Sequence, residues 1–344
     1  MNVAVEPIMG AKAGSDHPLA AFGLDTVVRG AARLRADRVA IVEAGPGAEA
    51  TPLTYGEFDR LTLAFSAHAR ACGLLPGERI LIVGAARASV AIAILGAIGA
   101  GLEPVVAPAH LTPAALAFLA QTTAAVAIVG PTRFGAFDGE KAMMEIAATA
   151  PGVRLVGSLG PGECDGAVDF SPAGLRDPAD SNAYQAKPNA PPRIGLVLAP
   201  EQKAPRVVFI SQSEIVAIAL DFASRLRLNG ERPILSTLSP ASLAGLATGP
   251  VAALLVGAPL TWFGPFEAEG FVAALDSASP CHLIAPQAIA ADLAAAGVIA
   301  PGRLESLSLS MRAEAPPPVL GAACPVAWLA SDNDGGMTIS ITGA

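Results

Sequence analysis

Charge is scarce in this chain and aromatic residues are scarcer, at 15% and 5% of 344 residues. Average soluble domains carry about 25% charged residues, so little polar surface is available here. With 2 Trp, 2 Tyr and 12 Phe, the core must be built from Ala, Val, Leu and Ile. No basic run exists, and 22 basic against 30 acidic residues leave a net charge of −8. A nucleic-acid partner needs a basic footprint or aromatic stacking platforms, so nucleic acid is excluded. The four cysteines, Cys72, Cys164, Cys281 and Cys324, form no C-x-x-C pair. They are expected to be reduced, mostly buried thiols of a cytoplasmic protein. The four histidines, His17, His68, His110 and His282, have no metal-ligand spacing, so no metal site is expected.

Long apolar runs are missing as well. The uncharged stretch Ala88–Leu102 lies between Arg87 and Glu103 and falls short of the roughly 20 residues a membrane span requires. Pro240, Pro250, Pro259 and Pro265 break up the stretch Pro233–Phe266. No membrane span is expected, and Glu6 near the start argues against a secretory signal. There is no G-x-S-x-G elbow and no Walker-type loop. The glycines of Gly96–Gly101 fall at the end of a predicted helix, where close packing explains them better than phosphate binding. Asp332–Gly336 lacks the terminal Glu of a calcium loop and reads as a hairpin turn.

What is present is a hydrophobic content of 52% arranged as alternating strands and helices. Thr54 followed by Glu57 is a capping-box signature, and the helix it opens is expected to run to Ala71 with Leu61, Phe65 and Ala69 inward. Strands are predicted at Val39–Glu43, Arg79–Gly84, Glu103–Ala107 and Ala125–Gly130, separated by helices at Ser89–Gly99 and Thr112–Thr122. Alternation resumes at Ile194 with strands Ile194–Leu198 and Arg206–Ile210, and later a helix at Leu243–Val256. Such alternation implies βαβ units and parallel sheets covered on both faces. The fold class is therefore α/β, with two related parallel-sheet subdomains and helices on both faces. The expected division is a loose leader over 1–22, a first subdomain over 23–156, a linker or surface excursion over 157–192, and a second subdomain over 193–344.

Three blocks carry a family resemblance: Leu53-Thr54-Tyr55-Gly56-Glu57-Phe58, then Gly73–Ile80, then Ile94–Val106. In order and spacing they resemble the opening of the adenylate-forming superfamily, which includes acyl-CoA synthetases, AMP-dependent ligases and adenylation domains. The resemblance implies the large N-terminal domain of those enzymes and extends weakly over residues 25–340. It also implies a phosphate-holding loop rich in Thr, Ser and Gly after the linker. In that place stand Leu198, Ala199, Pro200, Glu201, Gln202, Lys203, Ala204, Pro205 and Arg206, with Ser211-Gln212 at the family's Ser-His. Pro200 has no N–H donor, and Glu201 repels a triphosphate. The family's adenine-holding block falls near Trp328–Gly336, which has no Tyr or Glu, and Asp332 or Asp334 is the stand-in carboxylate. The sequence given reaches Ala344 before the family's mobile C-terminal domain, so that domain is expected to be absent.

These departures set the functional expectation. The chain is expected to be a noncatalytic, degenerate synthetase-like protein with no catalytic residue and no ATP or magnesium cofactor. Its expected role is a structural or regulatory subunit, with a protein partner or a second copy. One alternative is a binder of a small carboxylate or acyl thioester in the old acyl pocket, near Ser242, Leu243, Trp262, Ala285, Gln287, Ser331 and Asp332. The other is a divergent ligase or acyltransferase using Glu201, Lys203, Arg206 and Asp332.

Overall fold

The computed structural model describes residues 23–46, 52–160, 164–175, 191–198, 205–313, 320–332 and 334–342. The expected leader 1–22 lies outside them. The chain opens with α1 (Leu24–Arg35), β1 (Val39–Ala44) and the short β2 (Leu53–Thr54). Thr54 caps α2 (Tyr55–Ala71): its hydroxyl accepts from the Glu57 amide, and the Glu57 carboxylate accepts from the Thr54 amide at 2.9 Å. This reciprocal pairing satisfies two donors that a helix start otherwise leaves open. Then follow β3 (Arg79–Gly84), α3 (Ala88–Gly99), β4 (Glu103–Pro108), α4 (Pro113–Thr122) and β5 (Ala125–Gly130). Pro113 opens α4 behind the Thr112 cap, a position where its missing N–H has no helical partner to lose. A hairpin of β6 (Arg133–Phe134) and β7 (Phe137–Asp138) leads into α5 (Gly139–Thr149), β8 (Leu155–Ser158) and β9 (Val168–Asp169).

The later part begins with β10 (Ile194–Leu198), β11 (Arg206–Ile210), α6 (Gln212–Arg225) and β12 (Ile234–Ser236). The single helix expected at Leu243–Val256 is α7 (Leu243–Leu246), a π-helical turn over Ala247–Val251, and α8 (Ala252–Val256). Pro250 cannot donate to the helical ladder, and the wider turn accommodates it. The remaining elements are β13 (Leu260–Phe263), α9 (Ala268–Ala278), β14 (Cys281–Pro286), α10 (Ala290–Ala295), β15 (Leu304–Arg312), β16 (Val326–Ser331) and β17 (Met337–Thr342).

Two large sheets result. One has the order β11-β10-β4-β3-β5-β8-β9, the other β17-β16-β15-β14-β12-β13-β1-β2. Pairing is parallel except at edges, where β10–β11, β1–β2 and β16–β17 run antiparallel. Side chains on a strand alternate between faces, and here both faces are apolar. Ile80 and Ile82 of β3 enter the central core, while Leu81 and Val83 enter the outer core under α4 and α5. The second sheet behaves likewise: Leu283 and Ala285 pack with α9 and α10, and Ile284 packs centrally. Helices α1, α2, α3, α6, α7 and α8 fill the space between the sheets.

The expected subdomain boundaries need correction. β1 and β2 belong to the second sheet, beside β13, and β10 and β11 belong to the first, beside β4. A division at residues 157–192 therefore does not separate the sheets. Nor is all of that segment an excursion. β9 pairs with β8, Phe170 is buried with its ring centroid 4.7 Å from that of Phe65, and Leu175 is buried. Residues 176–190 lie outside the described residues.

The apolar run at Ala88–Leu102 proves to be a buried helix and its exit turn, and no helix of the described residues is long and apolar enough to cross a membrane. Its Gly96 meets α2 at close range. A Cβ there would lie 2.7 Å from Phe65, and the Ser66 hydroxyl donates to the Gly96 carbonyl at 2.7 Å. That is the packing role expected of this glycine run.

A buried ion pair joins the sheets. Arg87, in the turn after β3, lies 3.5 Å from the Glu43 carboxylate at the end of β1, and both side chains are largely buried. Arg87 also donates to the Gly264 carbonyl at 2.7 Å and the Pro46 carbonyl at 2.9 Å. Its guanidinium carbon sits 5.2 Å from the centre of the Phe134 ring. The other Glu43 oxygen accepts from the Ala88 amide at 2.6 Å, at the positive end of α3. Removing one member of a buried pair strands the other charge. Glu43→Ala is expected to lower unfolding free energy by about 3–5 kcal/mol, measured by urea denaturation.

A second buried polar contact lies at the start of β14, where His282 Nδ1 is 2.9 Å from the Ser306 hydroxyl. Burial pushes the imidazole from its usual 6.5 to about 4. The unfolded chain takes up this proton near pH 6.5 and the folded chain only near pH 4, so folding loses stability as pH falls through that window. His282→Asn is expected to flatten this loss by about 3 kcal/mol relative to wild type, read from denaturation curves between pH 7 and 4.

Candidate functional site: a cleft at the tip of β10

Strand β10 ends at Leu198, opposite Arg206 of β11. Across from this tip lies the turn 237–242, which follows β12 of the other sheet and is held by a set of short bonds. The Thr237 amide donates to the Ile284 carbonyl at 3.0 Å, and the Trp262 indole donates to the Leu238 carbonyl at 2.9 Å. The Ser239 hydroxyl donates to the Gly84 carbonyl at 3.0 Å, docking the turn onto the end of β3. Gly84 has no alternative there, because its Cβ would sit 2.7 Å from that of Ala241. The Ser242 hydroxyl then caps α7 by accepting from the Gly245 amide at 3.0 Å.

Between the β10 tip and this turn opens a cavity of about 460 Å³. Ser242, Leu243, Gln287, Ser331 and Asp332, five of the expected pocket residues, line it together with Leu198. The other two are elsewhere. Trp262 is buried in the central core and Ala285 in the outer core of the second sheet. Trp262 nevertheless supports the wall through Leu238. Ser310 and Arg312 also line the cavity and were not anticipated. Their signal was the Ser306, Ser308, Ser310 alternation in an otherwise apolar strand, which places hydroxyls along one face.

Asp332 does less than a stand-in metal carboxylate would. Its Oδ1 accepts from the Asp334 amide at 2.9 Å and the Gly336 amide at 2.7 Å, closing the β16–β17 hairpin. Asp334 lies 3.7 Å from Arg206, with both side chains exposed, so that pair adds little. Among the described residues no three His, Cys, Asp or Glu side chains gather as metal ligands. All four cysteines are unpaired, and burial raises Cys281 to about 12, which keeps it a thiol.

The expected phosphate-loop positions Leu198, Pro205 and Arg206 are described. Leu198 is on the cavity wall, Pro205 is buried and Arg206 is exposed on β11. Ala199, Pro200, Glu201, Gln202 and Lys203 lie outside the described residues. Between Leu198 and Arg206 there is no Gly, Ser or Thr, two prolines lack an N–H, and Glu201 carries like charge.

Residues 28–193 match the AMP-binding enzyme family. The salicyl-AMP ligase / salicyl-S-ArCP synthetase of Mycobacterium tuberculosis is 28% identical over 258 residues, covering 74% of this chain and 44% of that protein. The chain thus spans under half the length of this curated relative. Among solved structures, the apo structure of Mycobacterium smegmatis MbtA aligns with a TM-score of 0.77 at 25% identity, covering 93% of this chain and 58% of that one. Acetoacetyl-CoA synthetase from Streptomyces lividans aligns with a TM-score of 0.74 at 18% identity, covering 91% and 52%. The fold resembles that of these enzymes across both sheets.

The turn beside the cavity is anchored by a core tryptophan. Trp262→Phe leaves the Leu238 carbonyl buried without its donor. The expected cost is about 1–3 kcal/mol of unfolding free energy, measured by urea denaturation.

Proposed function

We propose that this adenylate-former-like chain is noncatalytic, and that it holds a small carboxylate or acyl group in the cleft while serving as a subunit of a cytoplasmic enzyme assembly. The observation that carries the reading is the segment between Leu198 and Arg206, which has no glycine, serine or threonine. Adenylation needs a cradle of backbone N–H groups and hydroxyls around the phosphates. Lys203 and Arg206 supply positive charge but no cradle. The retained cavity, about 460 Å³ with polar groups on its wall, falls in the size range of small-molecule sites and supports ligand holding. Low surface charge supports burial against a partner or a second copy.

Polar groups at Gln287, Ser331 and Asp332 on that wall favour a second reading, a divergent ligase. Calorimetric titration with ATP, with and without magnesium, separates the two when paired with pyrophosphate release over a carboxylate panel that includes salicylate. The noncatalytic reading expects no micromolar ATP binding and no pyrophosphate. Either signal from folded protein would overturn it.

A further inference from the structure

Helix α4 packs on the outer core of the first sheet, and its sequence PAALAFLAQT carries no charged residue. Leu116, Ala117, Leu119 and Ala120 are buried, whereas Ala114, Phe118, Gln121 and Thr122 are exposed, Phe118 by 40%. Positions i, i+4, i+7 and i+8 form one stripe along a helix, so these four residues share a face. Its two polar members are already used within the chain. The Gln121 amide donates to the Thr149 carbonyl at 2.7 Å, and the Thr122 hydroxyl donates to the Phe118 carbonyl at 2.8 Å. A surface helix ordinarily puts charge on its outer face. Every other α-helix of the described residues that has an exposed residue carries charge, and α4 does not. Beside it packs α5, whose Lys141 and Glu145, 3.8 Å apart, supply one charge of each sign.

We propose that the exposed stripe of α4 is the contact surface of a two-fold dimer, covered by a second copy of this chain. A two-fold axis sets each surface against itself, so any charge there meets its own sign. With a net charge of −8, the chain meets itself without repulsion on a face that carries none. Leu34, between Arg33 and Arg35, and Phe266, next to Glu267, are also exposed apolar side chains but do not meet this condition. In an antiparallel crossing centred on Phe118, the two rings meet at the axis, and Ala114 of each copy faces Thr122 of the other. The small Ala114, one turn from the ring, leaves space for the opposing helix. Ten helical residues span about 15 Å, so this pair buries less than the roughly 800 Å² per partner of a stable interface. Association is therefore concentration-dependent. The contact goes beyond the reading above and is independent of what the cleft holds.

The test is sedimentation velocity of the full chain from low micromolar to submillimolar concentration. The expected result is a reversible equilibrium whose mass rises from one chain toward two. Phe118→Asp sets two carboxylates against each other at the axis and is expected to weaken dimerisation at least about tenfold. Phe118→Lys does the same with two ammonium groups, and an equimolar mixture of the two variants is expected to associate again. Leu34→Asp makes the same change of charge at an exposed position of α1 and is expected to leave dimerisation unchanged. Ala114→Arg, exposed one turn away, obstructs the same contact should a Phe118 variant fail to fold. A chain that stays monomeric at every concentration overturns the proposal. So does a dimer untouched by the folded Phe118→Asp or Ala114→Arg variant, or a mixture of the two charge variants that does not associate. A different protein seated on α4, with this chain monomeric by itself, overturns it as well.

Discussion

The buried pair between Arg87 and Glu43 is the constraint on which the geometry of the cleft depends. A guanidinium taken from water needs every donor used. Arg87 meets this need by reaching the Glu43 carboxylate, the Gly264 and Pro46 carbonyls and the Phe134 ring. Those partners come from the end of β1, the exit of β13 and the β6–β7 hairpin. One side chain thus fixes where two sheets, a hairpin and the first turn of α3 meet. Pro265 and Phe134, both beside this junction, also line a cavity of about 480 Å³ that shares Val197 and Ser242 with the cleft. The charge that organises the interior and the surface that shapes the cleft are therefore parts of one arrangement.

A cleft opens at the tip of β10. In α/β proteins the strand ends are natural ligand sites, because the loops there converge and the sheet beneath is rigid. Here the turn 237–242 is pinned by Trp262, Ser239 and Gly84, so the cavity does not depend on residues 199–204 for its far wall.

Much of the fold was legible from residue pattern. The Thr54–Glu57 pair starts α2 where the spacing indicates, because capping is a local interaction. Gly96 was readable as a packing glycine for the same kind of reason, its place at a helix end facing away from any phosphate. What local pattern could not show was sheet membership. Val39–Ala44 and Ile194–Leu198 have the alternation of buried strands, but nothing in either says which of two sheets it will join. α5 and the β6–β7 hairpin had no clear expectation; the hairpin strands are only two residues each. In the cleft, Ser242, Leu243 and Gln287 were reachable through family resemblance. Trp262 was misplaced because a tryptophan near a pocket in sequence can support it from behind.

The exchange of strands between the sheets bears on how the chain assembles. β1 waits for β13, more than two hundred residues later, before it gains a parallel neighbour, and β4, paired early with β3, gains its second neighbour only at β10. Long sequence separations of this kind slow folding, because loop closure precedes the contacts that compensate for it. An emerging chain cut after β9 would hold an incomplete first sheet and an unpaired face on β1. Each sheet is thus completed only when strands from both the early and the late parts of the chain are present.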